Sequence, residues 1–261
     1  MDLELDGRRA LVTASTGGIG AAIARRLAAE GCSVMVHGRN QERAYSVAEE
    51  LQTIGGTVEV ALGDLTDPDE AGSVAQKAQA WRVQILVNNA GPFSEHDWIT
   101  TDPQAWATSY DGNVVTVVRM VQALLPTMLA TGWGRIITLG SRAATTPQAN
   151  LVDYSAAKAA VLNLTSSLAQ HLAGTGITAN TISPGVILTE GLLQMFDERA
   201  RLLGWDRDQT SQAMADYAPN PVGRLGTGDD IAAAVAYLAS PLASYVTGTE
   251  LRVDGGITPV P

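Results

Sequence analysis

The 261-residue chain holds a single cysteine, Cys32, which excludes an intrachain disulfide and fits a reducing compartment. Positive charge is also scarce: 17 Lys and Arg stand against 27 Asp and Glu, a formal net charge of −10. That excess disfavours binding to a phosphate backbone, so no nucleic-acid partner is expected. No apolar run reaches the roughly 18 residues of a membrane span; VVTVVRMVQALL is interrupted by Arg119 and Gln122, and no membrane association is expected. The opening MDLELDGRR is charged and leads straight into RALVTA, unlike a signal peptide. A cytoplasmic location follows as an expectation. His37, His96 and His171 lie in separate segments, and no His/Cys/Asp cluster has metal-ligand spacing, so no metal is expected. Repeats, low-complexity tracts and linkers are missing too, which points to one domain over residues 1–261.

What is present is ordinary for a globular protein: 46% hydrophobic and 17% charged residues, enough for a large buried core. Seven short aliphatic runs read as buried strands: RALVTA (9–14), SVMVHG (33–38), TVEVAL (57–62), QILVNN (84–89), GRIITLG (134–140), GITANTI (176–182) and TELRVDG (249–255). Near-continuous Val/Ile/Leu character marks strands covered on both faces. The segments between carry helix signals. Asp67-Pro68 and Asp102-Pro103 place a cap residue before a first-turn proline. Thr227 with Asp230 forms a capping-box pattern, and Gly55-Gly56 ends a helix begun near Asn40. Strand–helix alternation predicts an α/β fold, a Rossmann-type doubly wound parallel sheet of about seven strands. One irregular region, 188–222, is rich in Leu, Met and Phe and is expected to form a lid over a substrate pocket.

Two stretches carry chemistry. In TASTGGIGAAIARRLA (13–28), Gly17, Gly18 and Gly20 sit where the first strand gives way to an Ala-rich helix. Glycines there let the backbone approach a pyrophosphate, and the helix N-terminus supplies N–H groups and positive dipole. In DYSAAK (153–158), Tyr154 and Lys158 stand four apart and share one helix face. A cation beside a phenol favours the phenolate and would lower the Tyr154 pKa toward the range useful to a general acid or base.

Taken in order, Gly17-Gly18-Ile19-Gly20, Asn88-Asn89-Ala90-Gly91, Asn113, Ser141, Tyr154, Lys158 and Pro184-Gly185 resemble the motifs of the classical short-chain dehydrogenase/reductase family, along essentially the whole chain. GRLGTGDDIAAAVAYLAS and YVTGTELRVDGG are similar to that family's C-terminal segments. The resemblance implies that Tyr154 exchanges the proton, that Lys158 lowers its pKa and holds the nicotinamide ribose, and that Ser141 polarises the substrate carbonyl. Asn113 would link the lysine to a proton path. It also implies nucleotide contacts from Ser15, Thr16, Gly17, Ile19, Gly20, Asp64, Leu65, Asn88, Ala90, Gly91, Pro184, Gly185, Ile187 and Thr189. One position departs: the family's first loop glycine is Ala14 here, which implies a turn residue kept at negative φ.

The second strand ends in His37-Gly38-Arg39-Asn40, without the carboxylate that would bind the ribose 2′-OH of NAD. Arg39 suits a 2′-phosphate, with Ser15 and Thr16 able to add hydrogen bonds, so NADP is favoured over NAD. The expected activity is interconversion of a ketone and a secondary alcohol. A nucleotide-assisted isomerase or dehydratase, a halohydrin dehalogenase-like relative and a non-catalytic NADP sensor are the alternatives. The intact glycines argue against the second, and Tyr154 with Lys158 against the third. Leu188, Leu192, Leu193, Met195, Phe196, Leu203 and Trp205 favour a hydrophobic small-molecule substrate. MLATGWG (128–134) and QHLAGTG (170–176) lack the basic residues that an acidic carrier protein would need. Arg142 reads as a surface or interface residue. The resemblance further implies a homotetramer built through 103–131, 153–173 and the C-terminal strand, with the tail GGITPVP against a neighbouring subunit.

Overall fold

Each of the seven aliphatic runs becomes a strand in the computed structural model, which describes residues 2–259. They are β1 (Arg9–Val12), β2 (Ser33–Gly38), β3 (Val58–Leu62), β4 (Ile85–Asn88), β5 (Gly134–Leu139), β6 (Ile177–Pro184) and β7 (Glu250–Val253). All are parallel, in the order β3-β2-β1-β4-β5-β6-β7. The order reverses between β1 and β4. In open α/β sheets that switch point, at the carboxyl ends of the strands, is where ligands bind.

The helices lie on both faces: α1 (Gly18–Ala29), α2 (Gln41–Ile54), α3 (Pro68–Ala80), α4 (Pro103–Tyr110), α5 (Thr116–Thr131), α6 (Val152–His171), α7 (Glu190–Leu203), α8 (Arg207–Tyr217) and α9 (Gly228–Ala239). Two apolar layers result. One joins α1, α2 and α9 through Ile23, Leu27, Leu51, Ile231 and Val235 to one face of the sheet. The other joins α3 and α5 through Val74, Met120 and Leu124 to the opposite face. The caps form as the sequence implies. Asp67 and Asp102 accept first-turn N–H bonds ahead of their prolines, Thr227 and Asp230 close a capping box, and Gly55 ends α2 at φ +112°.

The continuous helical stretch 103–131 is long and apolar enough to cross a membrane by length and composition. Here its apolar side packs as Val117, Met120, Leu124 and Met128 in the core, while Arg119 pairs with Asp111 at 3.2 Å. It behaves as a core helix of the sheet. Region 188–222 is not a loop but the helical pair α7 and α8. Its own small core is Phe196, Ala218 and Leu225 with Leu188, Leu192, Met195 and Met214 packed around them. The last two residues of GGITPVP lie outside the described residues.

Candidate active site

The carboxyl ends of β4, β5 and β6, the start of α6 and the α7–α8 pair surround a cavity of about 1050 Å³. Ser141, Tyr154 and Lys158 share its wall with Ile19, Gly91, Gly185 and Thr189. Ser141 is separated from the end of β5 by Gly140 alone, and its hydroxyl caps the short 3₁₀ turn Arg142–Ala144 by accepting from the Ala143 N–H at 3.2 Å. Tyr154 and Lys158 enter from the first two turns of α6.

Lys158 is buried, and its ammonium donates to the Leu139 carbonyl at 2.8 Å. Burial lowers its pKa from 10.5 to about 8. The same ammonium stands 5.6 Å from the Tyr154 ring centroid. The sequence suggests a depressed tyrosine, but desolvation dominates here. Burial raises the Tyr154 pKa above 10.0, and the Ser141 hydroxyl, hydrogen-bonded to the phenol, only partly offsets it. Phe93 packs its ring edge-on to Tyr154, centroids 5.2 Å apart at 83°.

The Lys158 pKa is open to direct measurement, because the chain has only two lysines, Lys77 and Lys158. With lysine labelled at ¹³Cε, the Lys158 resonance is assigned by its persistence in Lys77→Arg. Its midpoint is expected near 8. A midpoint at the free-lysine value would show that burial does not destabilise the charge. A lysine titrating below its unfolded value of 10.5 is a cost to the fold while charged. That cost is complete below about pH 8 and is relieved as pH rises from 8 toward 10.5.

Asn113 sits in a single π-helical turn, Asp111–Val115, between α4 and α5. Such wide turns recur at functional sites. Its Nδ2 donates to the carbonyls of Pro92 and Ser109, both at 3.0 Å. Its Oδ1 is buried with no partner among the described residues. A Cβ built on Gly91 would lie 2.5 Å from that oxygen and 3.4 Å from Lys158 Nζ. The orphaned acceptor, the ammonium and the bare Gly91 backbone therefore converge on one spot.

At the glycine loop, α1 starts at Gly18 behind Gly17, with no side-chain cap and no acidic residue in its first turn. A Cβ on Gly17 or Gly18 would meet nothing within 4 Å, whereas one on Gly20 would lie 2.4 Å from the Ala14 carbonyl. An uncapped helix N-terminus behind open, exposed glycines fits an anionic phosphate. Gly20 is needed for a different reason, the close packing of α1 onto β1.

Ala14 does not keep negative φ. It sits at φ +51°, a left-handed conformation that costs a residue with a Cβ about 1–2 kcal/mol. Tertiary hydrogen bonds hold it. Its N–H donates to His37 Nδ1 at 2.9 Å, and its carbonyl accepts from Asn89 Nδ2 at 3.1 Å. Thr13 Oγ1 takes the N–H groups of Asn89 and Ala90, both at 2.9 Å, stitching the β1 and β4 ends together. The sequence places Thr13, His37 and Asn89 inside the glycine-loop stretch, the end of the second strand and the NNAG turn but assigns them no role. That placement is the only signal for them.

Other expected contacts divide. Ile187 is buried beside Gly226, and Ile187, Pro184, Gly185 and Thr189 all line the cavity. Thr16 packs beside Gly38, just before Arg39. Ser15 is fully buried, and its Oγ accepts the His37 N–H at 3.0 Å, so its side chain does not face a 2′-phosphate. Asn88 is buried toward Thr138, and the Leu65 side chain belongs to the core. These two can meet a ligand only through their backbone. The Asp64 carboxylate already accepts from Thr66 and pairs with Arg39 at 3.1 Å.

Residues 13–258 match the family described as enoyl-(acyl carrier protein) reductase. The 3-oxoacyl-[acyl-carrier-protein] reductase FabG of Escherichia coli is 35% identical over 257 residues, covering 98% of this chain and 99% of the relative. The chain belongs to the short-chain dehydrogenase/reductase family. L-sorbose reductase from Gluconobacter frateurii, solved with NADPH and L-sorbose, superposes with a TM-score of 0.94 at 30% identity over 100% of both chains. A 7α-hydroxysteroid dehydrogenase, solved with NADH and 7-oxo glycochenodeoxycholic acid, gives 0.86 at 34% identity, covering 98% of this chain and 96% of that one. The protein is thus an NAD(P)-dependent oxidoreductase with a short-chain dehydrogenase/reductase fold.

Proposed function

We propose that the protein reduces a ketone to a secondary alcohol with NADPH, Tyr154 giving the proton and Ser141 polarising the carbonyl. The observation that carries this reading is the shared cavity wall of Ser141, Tyr154 and Lys158, reached by Gly91, Gly185 and Thr189 from the nucleotide side. When bound, the nucleotide supplies the hydride. Everything else falls to the chain. Ser141 Oγ donates to the carbonyl oxygen and stabilises the charge that develops there. Tyr154 Oη passes its proton to the same oxygen. A phenol whose pKa is raised by burial stays protonated at neutral pH, the form a donor needs, which favours the direction of reduction. Lys158 Nζ and Asn113 Oδ1 form the route by which the phenol regains its proton.

The cavity has two characters. Phe93, Leu192, Met195, Tyr217 and Ile257 form apolar wall, while Glu95, Arg142, Gln148 and Asn150 supply polar groups. Of the seven apolar residues expected to form the lid, only Leu192 and Met195 line the cavity; Phe196 is used inside the α7–α8 core, and Leu203 is exposed. The substrate we propose has an apolar face and a polar end. Arg142 belongs to the cavity rather than to the surface alone. Carrier-protein substrates remain disfavoured by the net charge of −10 and by the absence of Lys and Arg in 128–134 and 170–176.

A panel of carbonyl compounds assayed with NADPH tests the reading. Oxidation of NADPH in step with alcohol formation is expected, strongest for ketones bearing both an apolar and a hydroxylated or charged end. Product formation without net NADPH oxidation would overturn it in favour of isomerisation or dehydration. The tetramer is part of the same proposal, and light scattering that finds only monomer at micromolar concentration would remove it.

A further inference from the structure

We infer that His37 is a positioning residue for the nucleotide loop: its imidazole holds Ala14 in the left-handed turn that carries β1 into the glycine loop. The inference rests on the reading that this loop binds the nucleotide.

His37 is the last residue but one of β2 and is 3% exposed. Its ring touches two other loops. Nδ1 lies 2.9 Å from the Ala14 nitrogen, and Nε2 lies 3.2 Å from the Gly63 carbonyl oxygen. A backbone amide can only donate and a carbonyl can only accept. The network therefore assigns one form: neutral imidazole, bare at Nδ1, with its proton on Nε2. The His37 backbone repeats the link. Its N–H donates to Ser15 Oγ at 3.0 Å, and its carbonyl accepts the Ser15 N–H at 2.8 Å. One residue thus binds two successive members of the loop and the turn that follows β3.

The consequence runs through Ala14. This residue is at φ +51°, a conformation glycine adopts freely and alanine does not. Its N–H would otherwise be an unpaired donor in a partly buried turn. Its carbonyl faces Gly20 so closely that a Cβ there would come within 2.4 Å. The orientation of Ala14 therefore sets where α1 can begin, and the α1 N-terminus is the part of the loop that suits a phosphate. On the far side, Gly63 leads into Asp64, the partner of Arg39. The imidazole ties together the ends of β1, β2 and β3.

Charged groups around the ring are few. Asp64 lies next to Gly63; its own partners are Arg39 and, through its N–H, Glu70. Burial lowers the His37 pKa from 6.5 to about 4, with the Gly63 carbonyl and Asp64 opposing the shift without reversing it. The folded value lies below the unfolded one. The stability His37 contributes is full above pH 6.5 and is lost as pH falls toward 4. A proton gained at Nδ1 would face the Ala14 N–H donor and open the contact.

The test uses the intact protein and acid-stable NADP⁺, titrated by calorimetry, alongside thermal melting of the nucleotide-free form. His37→Ala is expected to weaken NADP⁺ about tenfold, the size of effect when a buried N–H loses its acceptor, and to lower the melting temperature. His37→Asn, whose Oδ1 can replace Nδ1 as acceptor, is expected to restore most of the affinity. It should also flatten the loss of affinity expected of the wild type on acidification. In an Ala14→Gly background, His37→Ala should cost less than in the parent, because glycine needs no clamp at positive φ. Unchanged affinity in His37→Ala, or an equal loss in both backgrounds, would show that His37 does not act through Ala14. If His37→Ala does not fold, the His37→Asn acid profile decides: a profile identical to wild type overturns the inference. A wild type that binds neither NADP⁺ nor NAD⁺ would overturn the nucleotide reading itself, and this inference with it.

Discussion

Tyr154→Phe is expected to cut turnover by at least the roughly 10²–10⁴-fold typical of lost general acid–base catalysis, while nucleotide binding persists. The substitution removes one oxygen. The ring stays, and with it the edge-on contact with Phe93 at 5.2 Å, so the melting temperature should not fall. Ser141→Ala is expected to cost about 10²–10³-fold, as when one donor to a developing oxyanion is deleted. If the two hydroxyls act on one carbonyl oxygen, the double variant should be little worse than Tyr154→Phe alone. The pH profile adds a separate check. Reduction needs the phenol protonated, and burial places its pKa above 10.0. Reduction rates should therefore hold through neutral pH and decline as Lys158, which titrates near 8, loses the proton it passes to the phenol. Near-normal turnover in Tyr154→Phe, at unchanged stability, would remove the tyrosine from the mechanism.

That prediction also marks where the sequence stopped being legible. The strand runs were readable because parallel strands buried on both faces need uninterrupted Val, Ile and Leu. The caps were readable because a cap is local chemistry, complete within four residues. The order of Ser141, Tyr154 and Lys158 was readable for a third reason: all three lie on the single connection from β5 into the first turns of α6, so the sequence itself sets their spacing. Ala14 was misread because its φ is set by contacts with His37 and Asn89, residues 23 and 75 positions away, and a propensity argument does not see them. The raised Tyr154 pKa was misread for a similar reason. The i, i+4 spacing brings the lysine to the right face, but burial and the Leu139 carbonyl decide what its charge does there. The polar side of the cavity comes from Glu95, Arg142, Gln148 and Asn150, which only the topology brings together. The π turn that carries Asn113 has no pattern that separates it from an ordinary helix.

Cofactor choice is where the two levels meet. Arg39 is expected to give NADPH about a tenfold advantage over NADH, and Arg39→Ala to abolish it by weakening NADPH alone. A charge-assisted hydrogen bond is worth roughly 1.5–3 kcal/mol, and about 1.4 kcal/mol is tenfold in affinity. Taken alone, Arg39 could therefore reach about a hundredfold. Its surroundings argue for the lower end. The Arg39 side chain is 77% exposed and already paired with Asp64 at 3.1 Å. The recess there is also lined by Glu70, so two carboxylates oppose an arriving 2′-phosphate. The pair itself is a weak competitor, since exposed ion pairs contribute about 0–1 kcal/mol. Ser15, buried under His37, adds nothing from its side chain. Arg39→Asp should go further than Arg39→Ala: a third carboxylate repels the phosphate and can accept from the free 2′-OH of NADH, so the preference should invert. Asp64→Asn should act the other way, removing one opposing charge and strengthening NADPH. The measurement is the dissociation constant of each cofactor in the wild type and the three variants. Equal affinities in the wild type, or parallel losses for both cofactors in Arg39→Ala, would show that Arg39 serves Asp64 and does not read the 2′ position.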